Sequence, residues 1–525
     1  MKTKNYTFVV LLLALLFGGY TSANAAEKTS GLILNEDASH FFFQRPAEKM
    51  TIEGLHELVD KYSDGQVSHL FFNVNGMKTS YRSEVWDSIW DDNRPQQLGE
   101  CEGIFSACKW VKNAWLLHSK GIDPYEVWVK YSKTKGVSPW ISIRTNDIHQ
   151  HDEPEGFHVC IYSSFVKEHP EYRRNPQGTG YFDFALDYGI QEVREYQLSL
   201  VKEVIQRYDA DGVELDWLRE SRIFAPGKED QGREILTGYM AEVRKLADEK
   251  SAKTGRPYQV AVRVPAVPES AYGWGFDVAT WVKTGLVDMV TLSARESADY
   301  DIPIEQWRQL MGDAADNITL NACMSISIHP SPGGFTLHNN LETMRGFTAT
   351  MLHRGADNIY LFNHMDGGTS IDSPDEYIDL LRQAGRLETV IDKPRRHVVT
   401  YHDLPPPDKA FPIALPAEID EQKNAVFNIN IGPKPTTGRV VVRVGYADSD
   451  DEETVKVTCK INSFQCKPST KYYVSGGFRA SFGVAYVDRF MVPLSELKDG
   501  DNTVDLVVTN GGAQKITWLE IYIIP

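Results

Sequence analysis

Short apolar runs alternate with longer helical patterns through most of the chain. Between about residues 31 and 385, eight segments have the length and composition of buried strands. They are Leu32–Leu34, His69–Val74, Val137–Arg144, Asp211–Asp216, Tyr258–Val264, Val287–Ser293, Ile318–Ser327 and Asn358–Asn363. Helical spacing of apolar residues lies between them, most clearly over Ile190–Tyr208. Eight strands with helical crossovers predict an α/β fold, a (β/α)8 TIM barrel over residues 31–385.

The pattern changes after about residue 386. A proline-containing stretch, which we interpret as a linker over residues 386–398, leads into apolar residues that alternate with polar ones, as in Val440–Val444 and Val504–Val508. Turn signals such as Asp499–Asn502 separate these segments. Short alternating strands with such turns predict an all-β antiparallel sandwich over residues 399–525, as an accessory domain.

The first 25 residues have the layout of a secretory signal peptide. Lys2 and Lys4 precede an apolar run from Phe8 to Phe17, and Ala23-Asn24-Ala25 supplies an A-x-A cleavage site. The run is too short to span a bilayer. We therefore expect a soluble exported protein, periplasmic or extracellular.

Because export makes disulfide bonds possible, some of the six cysteines could pair. Cys459 and Cys466 flank a short loop between strand-like segments, which favours a local bridge, and Cys101 and Cys108 have the same spacing. Cys160 and Cys323 could equally be buried thiols.

The charge balance narrows the classes of partner. The 525 residues carry a formal net charge of −17. Without a basic field, neither a nucleic acid nor an anionic membrane surface is an expected partner.

Polar side chains gather on the inner face of the predicted barrel strands. Because strand residues alternate faces, turning the aliphatic residues towards the helices leaves a polar set inside. The inward set is Asn73, Asn75, Ser142, Arg144, Asn146, Glu214, Asp216, Arg263, Thr291, Ser293, Arg295, Ser325, Ser327 and His329. Barrel enzymes place their chemistry at the carboxyl ends of the strands, so this set predicts an active or binding site. The alternative is a network in which the arginines only neutralise Glu214, Asp216 and Glu296.

Residues 208–217, which read YDADGVELDW, include the fourth strand. This segment resembles the fourth-strand motif of several glycoside hydrolase barrels, in which a carboxylate ends the strand. Val193-Arg194 and residues 354–363 also resemble bacterial glycosyl-hydrolase-like barrels, and the C-terminal part resembles the galactose-binding-like β-sandwiches appended to carbohydrate enzymes. The chain departs from the chitinase-type pattern at Leu218, where that pattern has its acidic Glu. It also departs from the large clan with catalytic Glu on strands four and seven, because strand seven ends in His329.

The resemblance implies a secreted glycoside hydrolase that cleaves a polysaccharide or oligosaccharide without a cofactor. Such cleavage needs two carboxyl groups. We expect Asp216 to be the nucleophile and Glu214 a supporting group. Glu296 is the first choice for the acid/base, with Glu36, Asp37 and Asp147 as the other candidates.

The other mouth residues are expected to bind substrate. They are Asn73, Asn75, Arg144, Asp147, His149, Trp217, Arg263, Arg295, His329, Asn363 and His364. Three inward arginines exceed what two carboxylates require, and a guanidinium fork suits a uronate or a sulfate ester, so the substrate is expected to be anionic. Arginines paired only with the carboxylates are the alternative.

Other interpretations of the sequence stay open. One is a non-catalytic carbohydrate-binding protein on a degenerate barrel, and another is a metal-dependent hydrolase using His149 and His151. Tryptophans of the insertion after strand two, such as Trp86, Trp90 and Trp110, could form a sugar platform or serve packing. The acidic segment Asp448–Glu453 could bind calcium or be solvated.

Overall fold

The computed structural model describes residues 30–91, 106–149, 162–367, 371, 373–447, 455–469, 472–473 and 484–525. Several features of the sequence therefore lie outside the described residues: the predicted signal peptide, Cys101, His151, Cys160, the acidic segment 448–453 and the side chain of Cys108.

Eight parallel strands close into a barrel. They are β1 (Leu32–Glu36), β2 (Val67–Asn73), β3 (Ser138–Arg144), β4 (Gly212–Asp216), β5 (Gln259–Pro265), β6 (Met289–Ser293), β7 (Thr319–Ser325) and β8 (Asn358–Phe362). Each strand pairs with its neighbour in sequence, and β8 pairs with β1 to close the ring. All eight predicted strands are confirmed, with each end within two residues of the predicted one.

The helices surround this barrel. The described residues form α1 (His40–Gln44), α2 (Ile52–Tyr62), α3 (Ser106–Ser119), α4 (Pro124–Thr134), α5 (Ser164–Glu168), α6 (Gln191–Arg207), α7 (Glu229–Thr254), α8 (Pro268–Gly273), α9 (Val278–Lys283), α10 (Ile304–Met311), α11 (Leu341–His353) and α12 (Pro374–Gln383). The helix predicted at Ile190–Tyr208 is confirmed as α6. Within the described residues, no helix has the length and apolar character needed to cross a membrane.

The two faces of the barrel strands have different partners. Outward residues such as Val213 and Leu215 join the large apolar cluster between strands and helices. Inside the barrel a second apolar cluster contains Phe71 and Trp140, whose rings stack at 5.0 Å. A β-carbon on Gly212 would lie 2.4 Å from the Trp140 ring, so only glycine fits opposite this large side chain.

Antiparallel strands follow the barrel. One sheet has the order β9 (Arg395–Val398), β16 (Gln514–Ile524), β12 (Arg439–Tyr446) and β14 (Tyr486–Val492), with β10 (Ala417–Ile419) also on β16; the other contains β11 (Ala425–Asn430), β15 (Asp501–Asn510) and β13 (Lys456–Ile461). Both sheets contribute to one apolar cluster, with Val442 and Leu519 from the first and Val504 and Leu506 from the second. The predicted α/β barrel followed by antiparallel β structure is confirmed.

Two details differ from the sequence prediction. Residues 395–398, assigned to a linker, form β9 and pair with β16. Their inward positions are the buried Arg395 and His397, so hydrophobic alternation could not reveal this strand. The expected bridge between Cys459 and Cys466 is wrong, because both are buried free thiols in the structure. They pack as apolar residues in the sandwich core, and the Cys466 amide donates to the Cys459 carbonyl at 2.9 Å.

Candidate active site

A pocket of about 250 Å³ opens at the mouth, the end of the barrel where the strands finish. We call it the Arg144 pocket. Its described lining residues follow β1, β2, β3, β4 and β8: Asp37, Ser39, Phe43, Gly76, Met77, Lys78, Ile89, Trp110, Arg144, Asp147, His149, Arg219 and Asn363. The carboxyl ends of parallel barrel strands converge here, which is where barrels bind ligands.

Arg144, the last residue of β3, forms ion pairs with two carboxylates in this pocket. Its guanidinium donates to Asp37 and, at 3.1 Å, to Asp147. Burial opposes ionisation of Asp37, but Arg144 and hydrogen bonds from Ser39 lower its pKa to about 2. Burial likewise opposes ionisation of Asp147, yet His149 and Arg144 hold its pKa well below the usual range. Both carboxylates are therefore ionised at neutral pH.

Further cations line the same pocket. Arg219, from the segment after β4, contacts His149 and approaches Asp147 to 3.8 Å. Burial and the neighbouring Arg144 lower the pKa of Arg219. Lys78 also lines the pocket and is buried. Apart from His149, the described lining thus contains three basic side chains, Arg144, Arg219 and Lys78, and the two carboxylates Asp37 and Asp147.

A buried ion pair lies directly beneath Arg219. Arg263 on β5 donates from two nitrogens to the two oxygens of Asp216, at 2.9 and 2.8 Å, and the Arg219 amide donates to Asp216 at 3.2 Å. The Asp216 side chain is only 4% exposed. The guanidinium of Arg263 also lies 3.8 Å from the centroid of the Phe362 ring. This bidentate geometry fixes the position and charge of Asp216.

Glu214 lies two residues earlier on the same face of β4. Its Oε1 accepts from the Ser142 hydroxyl at 2.7 Å and the Tyr360 hydroxyl at 3.0 Å, whereas its buried Oε2 has no hydrogen-bond partner. Burial, reinforced by the negative charge of Asp216, raises the pKa of Glu214 to about 8. The fourth strand therefore presents a protonated carboxyl beside an ion-paired one.

A second group of charged residues surrounds Glu220, which the sequence interpretation did not consider. Glu220 is buried, accepts from the Tyr181 hydroxyl at 2.8 Å and lies 3.5 Å from Arg295. Burial raises its pKa against the opposing effects of Arg295 and Tyr181. Glu296 pairs with Arg295 as well, but its side chain is 58% exposed. The structure thus places Glu220, rather than Glu296, in a desolvated position at the mouth.

Asn73 and Asn75, both predicted to bind substrate, form hydrogen bonds with the backbone of β3. Asn75 donates to the Arg144 carbonyl and accepts from the Arg144 amide, and Asn73 donates to the Ser142 carbonyl. These bonds extend the pairing of β2 and β3 at the mouth.

The remaining predicted binding residues are dispersed. Trp217 is fully buried among aromatic rings, including Tyr188 at 5.2 Å, behind the barrel wall. His364 is buried with Nδ1 at 3.1 Å from the Phe362 carbonyl, and burial lowers its pKa to about 4. His329 is partly exposed and 3.4 Å from Thr336. Of these positions, Asn363 alone lines the described part of the Arg144 pocket, with a left-handed backbone at φ 61°.

The residues missed by sequence reasoning come mainly from loops. Ser39, Lys78 and Arg219 had no regular pattern to mark them, although Arg219 and Glu220 directly follow the fourth-strand motif. Trp110 lines the pocket, in keeping with one of the two roles considered for the insertion tryptophans. Trp86 instead stacks on Tyr196 at 4.4 Å.

The described residues contain no cluster of three or more His, Cys, Asp or Glu side chains arranged to hold a metal ion. His149 is instead bound by the Asp147 carboxylate, at 2.8 Å from Nδ1.

Comparison with known proteins finds no matching family model and no matching curated protein. Solved structures of similar shape include α-L-fucosidase isoenzyme 2 from Paenibacillus thiaminolyticus, 13% identical, covering 67% of this chain and 49% of that one at a TM-score of 0.42. The PgaB (BpsB) glycoside hydrolase domain from Bordetella bronchiseptica is 12% identical and covers 68% of this chain and 99% of that one, at a TM-score of 0.40. A cycloisomaltooligosaccharide glucanotransferase from Paenibacillus sp. is 8% identical and covers 94% of this chain and 57% of that one, at 0.33.

Proposed function

We propose that this protein is a glycoside hydrolase that acts on an acidic polysaccharide or oligosaccharide bound in the Arg144 pocket. The observation that carries the proposal is the combination at one mouth of an open, cation-rich pocket and carboxyl groups in different protonation states. Arg144 and Arg219 line the pocket, while Asp216 and Glu214 lie beneath it. Glycoside cleavage requires one carboxylate to remain ionised and one carboxyl to give a proton.

In this proposal Asp216 is the ionised carboxylate. Arg263 holds it through two hydrogen bonds, and the carboxyl ends of barrel strands, where Asp216 lies, are where barrel enzymes place catalytic residues. Glu214 stays protonated below it and supports the strand end through Ser142 and Tyr360.

Glu220 is the proposed acid. It follows Arg219 on the pocket wall, and its buried position favours the protonated form that the leaving oxygen needs. Glu296, the first choice from sequence, has a 58% exposed side chain and so lacks the desolvated position of Glu220.

The proposed anionic substrate rests on the charges of the Arg144 pocket. Arg144 and Arg219 present guanidinium groups to this pocket, and Lys78 also lines it. A uronate carboxylate or a sulfate ester would accept hydrogen bonds from guanidinium nitrogens in the charge-assisted geometry that strengthens such contacts.

Turnover of a panel of neutral, uronate-containing and sulfated oligosaccharides tests the function. Asp216→Asn and Glu220→Gln are each expected to lower kcat by at least a hundredfold, in line with the loss of a catalytic carboxyl. Arg144→Gln should raise KM for acidic substrates and leave neutral ones unchanged. Equal losses on both classes would contradict the anionic substrate, and full turnover by Asp216→Asn would contradict the proposed nucleophile.

A second candidate is a non-catalytic carbohydrate-binding protein. The observation that favours it is that Asp37, Asp147 and Asp216 are each already bound to an arginine. In that case the wild type binds an acidic saccharide with no turnover, and Asp216→Asn alters neither property except through stability.

A further inference from the structure

Arg222 occupies an unusual position at the mouth, beside the Glu220 group. Its guanidinium lies 3.8 Å from the centroid of the Phe182 ring and 5.1 Å from that of Trp274. Arg295 lies over the same Phe182 ring, at 4.5 Å. Two guanidinium groups therefore share one phenyl ring.

Arg222 has no carboxylate of its own. In the part of the chain that the structure describes it forms no ion pair, and its buried Nε has no hydrogen-bond partner. Other arginines near the barrel mouth, such as Arg144 and Arg263, each bind a carboxylate directly. A half-buried guanidinium without an acceptor is costly unless a ligand supplies one.

The nearby carboxylates are engaged elsewhere. Glu220 accepts from Tyr181 and faces Arg295. Asp183 accepts from Asn175 and the Gly180 amide. Neither carboxylate comes within ion-pair distance of Arg222. The positive charge of Arg222 therefore has no direct partner in either of them.

Like charges crowd the same region. Burial, followed by the charges of Arg174 and Arg295, lowers the pKa of Arg222. An anion placed between Arg222 and Arg295 would relieve this repulsion.

We propose that Arg222 and Arg295, over the Phe182 ring, form a second anion-binding subsite for an acidic sugar unit next to the one in the Arg144 pocket. The sugar scaffold in this inference rests on the proposed function; the anion site does not. Arg219 belongs to the Arg144 pocket, and Glu220 beside it contacts Arg295, so the two subsites are connected through adjacent residues.

The ligand class that fits is a saccharide with acidic groups on successive units. A carboxylate and a sulfate ester each accept charge-assisted hydrogen bonds from a guanidinium fork. The exposed Glu296, now on Arg295, is held weakly enough to be displaced, because an ion pair with so much solvent contributes little.

Anion soaks of crystals test the subsite without knowledge of the sugar. Wild-type crystals soaked in sodium sulfate or sodium acetate are expected to show an anion between Arg222 and Arg295. If only sulfate binds, the subsite is assigned to a sulfate ester, and if only acetate binds, it is assigned to a uronate. If both bind, the subsite accepts either acidic group. Arg222→Gln should lose this anion and keep any anion bound at Arg144. No anion at Arg222 in either wild-type soak overturns the proposal.

Calorimetric titration with sulfate repeats the test in solution. Arg222→Gln is expected to weaken the second site on the order of tenfold, as for the loss of charged hydrogen bonds. Arg222→Lys keeps the charge without the fork and should give an intermediate loss, which also guards against misfolding of the glutamine variant. Arg233→Gln is the matched control, since Arg233 stacks on Tyr272 at 4.0 Å but already pairs with Asp230 at 2.6 Å.

The outcomes separate this inference from the proposed function. Sulfate binding at Arg222 with no turnover of any oligosaccharide leaves the subsite standing and removes the hydrolase. Turnover of acidic oligosaccharides that is identical in wild type and Arg222→Gln, with no sulfate bound at Arg222, removes the subsite and leaves the hydrolase.

Discussion

The two ends of the barrel interior are packed differently, one with apolar side chains and the other with charged ones. The apolar interior cluster contains Phe71, Trp140 and Met289, held together by ring stacking and close contact. The mouth is filled by ions, with Asp216 and Arg263 nearly as deeply buried as the tryptophan. The same strands supply both regions.

The two kinds of packing place different demands on their side chains. Apolar side chains fill a barrel interior without any requirement for partners, whereas each buried ion needs a matched countercharge. A barrel that needed only stability could have continued the aliphatic filling to the top. The proposed function assigns the charges at the mouth to ligand chemistry, and the same charges make stability there depend on pairing.

Breaking the buried ion pair should have the largest effect. Arg263→Met leaves Asp216 without its bidentate partner and is expected to lower the free energy of unfolding by about 4 kcal/mol. Chemical denaturation measures the change. The double variant Arg263→Met/Asp216→Leu should recover most of the loss, because no charge is left uncompensated. A double variant as unstable as the single one would show that the pair contributes through shape rather than charge.

A cavity in the apolar interior should cost slightly less and leave the mouth intact. Met289→Ala removes a buried side chain and is expected to lower the free energy of unfolding by about 3 kcal/mol. Ligand affinity at the Arg144 pocket, measured by calorimetry, should stay at the wild-type value. A large loss of affinity would mean that the two regions are mechanically linked.

The protonated carboxyl beneath the mouth predicts a specific pH dependence. The pKa of Glu214 is raised from 4.5 to about 8, so the folded state holds a proton that the unfolded state has released. Wild-type stability should therefore fall by roughly 3–4 kcal/mol from this group as pH rises from 5 to 8. Glu214→Gln cannot ionise, and this fall should disappear.

Thermal unfolding of both proteins at pH 5 and pH 8 measures the Glu214 difference. Glu57→Gln, at an exposed glutamate, is the control and should keep the wild-type slope. An unchanged slope in Glu214→Gln would mean that Glu214 is ionised in the folded protein.

The smallest effect is expected at the pocket carboxylate Asp37. Its folded pKa of about 2 lies below the ordinary 3.8, so its contribution is present above pH 4 and is lost as pH falls towards 2. Asp37→Asn should remove about 2 kcal/mol at neutral pH and flatten the acid limb of the stability curve. Acid titration followed by circular dichroism checks this, and an acid limb identical to wild type would exclude the ion pair with Arg144.

Part of the site was predictable because it lies on strands. The aliphatic residues of each strand face the helices, so their neighbours Arg144, Asp216 and Arg263 must face the barrel interior. The structure brings these three residues to the same mouth. Glu220 and Arg222 could not be predicted in this way, because a loop has no regular alternation of apolar and polar residues. Their surroundings depend on Tyr181 and Phe182, which come from a distant segment of the chain.

The sequence by itself determined the barrel, the antiparallel C-terminal strands and the strand faces that carry polar residues, because apolar periodicity is a local property that burial enforces at each strand. The tertiary structure decided which charges meet: that Arg144 joins Asp37 to Asp147, that Glu296 stays in solvent, and that Arg222 forms no ion pair with any residue the structure describes. Those facts depend on distances between loops far apart in the chain, and electrostatic pairing is set by those distances and by burial rather than by residue type.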